Sequence, residues 1–328
     1  MQQHNHGLIL VRPKPNSQRF GVFTSIEKKE IMPGADWTGY LSTCDKQRNK
    51  IFDAWDCVSE SSAGQDCETQ FNYLLTNGLL SADQREFLEN NDYIKDGKVE
   101  FSVRFIAKLS GTIIGTGNSG DIVANTIKAR GLVPRARWEF TDEMTAAEYY
   151  QDVPQDLLDL GLEFKKLFPM DWEWVERPNF PNALKYSPIQ IFVDAWHLDA
   201  NGRYRFEDGF NHAVCLVRAT GNEIADSYDP TLKSLDDGNM EFFGIKYFIN
   251  LNNKPMVNFK QNSLYLLIEG PEQKLGMFLD GALIIYSDKV DAILNSASRS
   301  KEYQIPVPLN LKDWGSVPHK NGKGEIIN

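Results

Sequence analysis

The spacing of apolar positions changes about halfway along the chain. Over 57–75, Phe71, Leu74 and Leu75 recur at turn spacing ahead of an Asn77-Gly78 stop, which predicts a helix with Asp56 as its N-cap. Ser81 opens a second helix over 81–90, with Phe87 and Leu88 as its apolar positions. Ile122, Val123, Thr126 and Ile127 share one face of a third, 121–130, closed by Gly131. Pro154 precedes a fourth, 155–168, which turns Leu157, Leu158, Leu160, Phe164 and Leu167 toward a core. Beyond Pro188 the period shortens to two, predicting strands over 189–198, 203–206, 213–217, 223–228 and 243–251, with turns at Asp199-Ala-Asn-Gly202, Asp208-Gly209 and Thr220-Gly-Asn222. Helices first and strands later imply an α+β fold with an antiparallel sheet.

The flanks are less regular. A strand candidate at 8–11 ends at Pro13 and Pro15, and 1–32 reads as an arm on a main domain of 33–262. The remainder, 263–328, carries a hairpin around Asp280-Gly281, a short helix at 288–295 and an extended run over 310–328. No internal repeat is found.

Composition narrows the function. With 328 residues, 41% hydrophobic and 12% aromatic, the chain can bury a core without disulfides or a structural metal. Lys+Arg 35 against Asp+Glu 45 gives a net charge of -10, the wrong sign for a nucleic-acid binder. No apolar run approaches the roughly 20 residues that cross a bilayer, so no membrane partner is expected. The polar start lacks a secretory leader, which places the expected site of action in the cytoplasm of the producing cell. Four cysteines (Cys44, Cys57, Cys67, Cys215) form no C-x-x-C pair, and the five histidines form no helical pair, so neither a zinc site nor another cofactor is expected.

Two motifs carry candidate chemistry. Gly115-Thr-Gly117-Asn-Ser-Gly120 matches G-x-G-x-x-G, but no strand with an acidic end follows Gly131; it reads as a loop in which Asn118 or Ser119 caps the next helix. His4 and His6 read as polar terminal residues and His197 as a strand end. His212 opens the apolar run Asn211-His-Ala-Val-Cys-Leu-Val217, where an imidazole can face a cleft. A thiolate is favoured at a helix N-terminus beside an imidazole, and Cys57 stands at such a start, so a lowered pKa is expected there. Asp226, at the end of the next strand, can hold the other imidazole nitrogen. Cys57 and His212 lie 155 positions apart, slightly more than the papain pattern.

The ordered set resembles the papain-like cysteine peptidases over about 33–250. Pro33-Gly-Ala-Asp-Trp37 is similar to the family's mature N-terminal segment, and Cys57-Val-Ser-Glu-Ser61 stands in the nucleophile motif. Asn118 to Phe140 resembles the helix and following Gly-Leu run. Ser187-Pro-Ile-Gln190 resembles the strand before the catalytic His, Asn211-His212-Ala-Val214 the His motif, and Asp226-Ser-Tyr228 fills the Asn-Ser-Trp slot. The pattern is similar to that of divergent phage and bacterial members.

The resemblance implies a two-lobed fold, helical and sheet lobes flanking a cleft. It implies that Cys57 is the nucleophile, His212 the general base and acid, Asp226 the orienting group and Gln47 the oxyanion donor, with Tyr228 and Trp55 as substrate-binding candidates. Three departures stand out: Gln47 precedes the Cys by ten residues rather than about six, Glu60 replaces an aromatic, and Asp226 replaces Asn. Glu60, unless it pairs with a cation such as Arg104, is expected to oppose the thiolate. The arm is shorter and less helical than inhibitory propeptides, so none is expected. The implied activity is peptide-bond hydrolysis on a peptide or protein substrate. The alternatives are a weak or inactive structural protein, virion-associated and bound to virion proteins, and a cell-wall peptide or isopeptide hydrolase.

Overall fold

The first predicted helix is present but not uniformly wound. In the computed structural model, which describes 6–15, 17–21, 30–42, 46–250 and the backbones of four later strands, Cys57–Ser59 is α-helical, Glu60–Cys67 is π-wound and Glu68–Thr76 is α again. Together these form α1 (57–76). Serine hydroxyls occupy carbonyls in the wide turn: Ser61 Oγ donates to Cys57 O at 2.7 Å and Ser62 Oγ to Val58 O at 2.8 Å. Asp56 holds the N-cap position, but its carboxylate accepts from the Tyr149 hydroxyl instead of capping the helix.

The remaining helices are α2 (Ala82–Asn90), α3 (Val103–Ser110), α4 (Gly120–Arg130), the short α5 (Ala146–Tyr149) and α6 (Gln155–Leu167). Ser81 and Gln84 form a reciprocal capping box on α2. Helix α3 was not expected; Ser102 caps it and Gly111 ends it in the left-handed conformation. A small hairpin, β1 (Ile94–Lys95) and β2 (Lys98–Val99), lies between α2 and α3. Phe71 centres the helical lobe, with ring centroids 5.1 to 5.4 Å from Phe101, Phe164 and Phe168.

The sheet lobe comprises β3 (Met170–Glu176), helix α7 (Phe180–Ala183), β4 (Ile189–Val193), β5 (His197–Leu198), β6 (Tyr204–Arg205), β7 (His212–Arg218), β8 (Glu223–Ala225), β9 (Leu232–Ser234) and β10 (Phe243–Ile249). Six of these strands form one sheet in the order β3-β10-β4-β7-β8-β9, each neighbour antiparallel. The predicted strand at 189–198 breaks after Val193, where backbone donors turn to side chains: Asp194 N to Asn239 Oδ1 and Ala195 N to Asn211 Oδ1. Strand β3 escaped prediction because its acidic positions read as solvated; Asp171 pairs with Lys128 and Glu173 with the buried Lys246. One sheet face, with Phe192, Ala213, Ile245 and Tyr247, joins the helical core, while Ile189, Ile191, Val193, Val214 and Leu216 pack with Trp37 in a second core. The fold class is α+β and two-lobed, as expected.

The chain divides into two compact units, Met1–Pro255 and Met256–Asn328. In the second, β11 (Gly276–Leu279) and β12 (Ala282–Ile285) form the predicted hairpin, with Met277 opposite Ile284. His319–Lys320 (β13) pairs with Ile326–Ile327 (β14) where an extended run was expected; Asn321-Gly322 is a hairpin signal between them. The predicted helix at 288–295 lies outside the described residues.

Candidate active site

Helix α1 starts against the start of β7. The Cys57 sulfur accepts a hydrogen bond from the backbone of Ala213, the residue after His212, and both Cys57 and His212 are fully buried. His212 Nε2 lies 2.7 Å from Asp226 Oδ1. Its Nδ1 has no hydrogen-bond partner among the described residues. Pairing of β7 with β8, Cys215 opposite Ala225, carries Asp226 to the imidazole. The other carboxylate oxygen of Asp226 accepts from Lys233 Nζ at 2.6 Å. Burial pushes the Asp226 carboxyl up, but His212 and Lys233 outweigh it and hold the group below the usual carboxylate range.

The ten-residue spacing to Gln47 is absorbed by a loop. Asn49 Oδ1 accepts from the backbone N–H groups of Ile51 and Phe52, each at 2.8 Å, and Ala54 N donates back to Gln47 O at 2.9 Å. Gln47 is thereby returned, fully buried, to Asp53, a carboxylate that acts on the Cys57 thiol. Its Nε2 donates to Asp53 Oδ1 at 2.9 Å and to the main-chain carbonyl of His6 at 2.8 Å. Tyr228 stacks at an angle on His212, centroids 5.4 Å apart, and its hydroxyl donates to Asp53 Oδ2 at 2.5 Å. Trp55 has a left-handed backbone (φ 60), and its N–H donates to Asp53 Oδ1 at 3.0 Å.

The arm runs through this site. His6 N donates to Asn211 O, Asn118 N to Gly7 O, and Ile9 N to Asn118 O, at 3.0, 3.0 and 2.7 Å. The His6 ring lies 5.7 Å from that of His212 and 5.8 Å from that of Tyr228. Gly7 is required there: at φ +109, a Cβ would stand 2.5 Å from Trp55 O. The predicted strand at 8–11 makes only an isolated bridge, Leu8 to Asn118. His6, read as a polar terminal residue, and the arm, expected to play no inhibitory part, therefore both sit on the candidate nucleophile's neighbours.

This placement reverses one expectation. Burial pushes the Cys57 thiol well up, the Ala213 hydrogen bond works against it, and Asp56, Asp226 and Asp53 add to the rise. A helix N-terminus does not offset full desolvation in a covered site. The Glu60 carboxylate lies beside Gly64, where a Cβ would stand 2.8 Å from Glu60 Oε2. Arg104 spends its donors on the carbonyls of Tyr149, Glu148 and Glu139.

The glycine-rich loop is structural. Asn118 Nδ2 ties it to Ser110 O, Ser110 Oγ and Thr112 Oγ1, while Ser119 holds the N-cap position of α4 without a capping hydrogen bond. Gly117 accommodates the arm, since a Cβ there would stand 1.8 Å from Gly7 O.

Four residues of the site were missed: Asp53, Lys233, His6 and Trp196, whose ring lies 5.3 Å from that of His212. The Asp four places before Cys57 was the one readable signal. No cluster of His, Cys, Asp and Glu among the described residues could hold a metal ion, and no described helix is long and apolar enough to cross a membrane.

No protein-family model matches the chain, and no curated protein matches it in sequence. A solved structure of xylellain, a cysteine protease from Xylella fastidiosa, is similar over 74% of this chain and 96% of that one, at 12% sequence identity and a TM-score of 0.46.

Proposed function

We propose that the protein is a papain-like cysteine peptidase in a self-covered state. The observation that carries this reading is the His212 imidazole: one nitrogen is held by Asp226, the other is left without a partner, and the Cys57 sulfur is hydrogen-bonded to the next residue of the same strand. With the arm displaced, Nδ1 of His212 takes the thiol proton and the sulfur attacks the carbonyl carbon of a bound peptide. Gln47 Nε2, freed from His6, donates to the resulting oxyanion. The imidazolium returns its proton to the departing amine, leaving a thioester on Cys57. His212 then takes a proton from water, hydroxide attacks the thioester, and a carboxylic acid product leaves with the thiol restored.

A mixed peptide library incubated with the protein and with Gly7→Ala, which loosens the arm, each beside its Cys57→Ala and His212→Ala variants, tests this. The reading expects new amino termini that require Cys57 and His212. One observation favours a second reading: a thiol fully buried and pushed upward suits a scaffold that has kept the fold without the reaction. That reading expects identical libraries with and without Cys57 even after the arm is loosened.

A further inference from the structure

Lys233 is 1% exposed at its side chain and lies on β9 opposite Ile224 of β8, two strands from β7, which bears the imidazole. Its Nζ donates to Asp226 Oδ2 at 2.6 Å, Tyr228 O at 2.5 Å and Pro230 O at 2.6 Å. All three ammonium protons are thus engaged. The ring of Trp196, which also meets His212, lies 4.9 Å from the same nitrogen, and that of Tyr204 lies 5.8 Å away. We propose that Lys233 is a positioning residue of the site: with Asp226 it forms a neutral pair that orients His212 as an amide does, without loading the Cys57 pocket with an unbalanced negative charge. The proposal rests on the Cys57–His212 reading.

The surroundings explain the need. The segment before α1 presents Asp53 and Asp56, the sheet presents Asp226, and the arm presents His6; Tyr228 completes the wall. Besides Asp226, two carboxylates, Asp56 and Asp53, already act against a thiolate at Cys57. An isolated Asp226 would add its full charge. Lys233, on the oxygen that His212 does not use, cancels most of that charge at the distance of the sulfur.

Charge and structure can be separated. Because the covered thiol is pushed upward, thiolate absorbance of Cys57 is followed against pH in full-length protein carrying Gly7→Ala, which loosens the arm and serves as the wild type of this series, each further variant being read as a difference from its own Cys57→Ala partner. Lys233→Met should lower the thiolate-to-thiol ratio at fixed pH about tenfold, equivalent to one pH unit. Asp226→Asn, with the lysine kept, should raise the ratio by a similar factor, and Asp226→Asn with Lys233→Met should return it to within about threefold of wild type. If Lys233→Met fails to fold, the opposite shift in Asp226→Asn and its reversal in the double variant still decide. A lysine that only ties down the 226–231 turn would lower stability and leave these midpoints in place, and that result overturns the proposal. His212→Ala is the control: an unchanged wild-type signal, or no Cys57 thiolate in any variant, overturns the Cys57–His212 reading itself. A His212-dependent signal indifferent to Lys233 overturns only the proposal.

Discussion

The side-chain amide of Gln47 donates to the main-chain carbonyl of His6 at 2.8 Å, so the group assigned to an oxyanion is occupied by the protein's own arm. The arm is held by backbone hydrogen bonds at Asn118 and Asn211 and by a glycine for which no other residue fits. Gly7→Ala places a methyl against Trp55 O at a backbone angle that side chains rarely adopt, and should loosen the arm. Iodoacetamide labelling of Cys57, followed by mass spectrometry, should accelerate about tenfold or more. An unchanged rate would mean that the arm does not limit access to the thiol.

Asp53 joins three parts of the site, accepting from Gln47, Trp55 and Tyr228. Asp53→Ala should lower kcat more than it raises KM, by no more than the roughly hundredfold or greater loss expected from removing one oxyanion donor outright. Asp53→Asn keeps an acceptor for Gln47 and should recover part of that loss. Equal defects in both variants would show that the negative charge, not the hydrogen bond to Gln47, is what matters.

Gln190 fastens the wide turn of α1 to the sheet: its Nε2 donates to Val58 O and Ser61 Oγ, each at 2.7 Å. Gln190→Ala should destabilise the protein by about 1–3 kcal/mol in urea unfolding, since buried acceptors lose their donor. A change below about 0.5 kcal/mol would show that the turn is held by its serines alone.

The Asp226 carboxyl is held below its ordinary value in the folded protein, so its contribution to stability is present above about pH 3.9, the unfolded value, and is lost as pH falls through the folded one. Urea midpoints of wild type and Asp226→Asn should therefore converge as pH is lowered below about 3.9, the unfolded value. A constant gap across that range would contradict the ionised pair with His212 and Lys233.

Sequence pattern reached Cys57, His212 and Asp226 because each stands at a readable boundary: a helix start, a strand start and a strand end. Lys233 left no such mark, since one lysine in a three-residue strand reads as solvent-facing until tertiary packing buries it. Asp171 and Glu173 hid β3 for the same reason. His6 meets Gln47 and His212 only through long-range contacts, which no local periodicity encodes. Helix α1 was legible as a helix, but its π winding depends on where Ser61 and Ser62 send their hydroxyls.

The most direct test is labelling with an irreversible thiol-directed epoxide inhibitor of cysteine peptidases, applied to wild type, Gly7→Ala and Gly7→Ala with His212→Ala, followed by peptide mapping. The account expects one adduct, on Cys57, faster in Gly7→Ala than in wild type and slowed at least about tenfold when His212 is also removed. Adducts on Cys67 or Cys215 at the same rate as Cys57, or a Cys57 rate indifferent to His212, would contradict it.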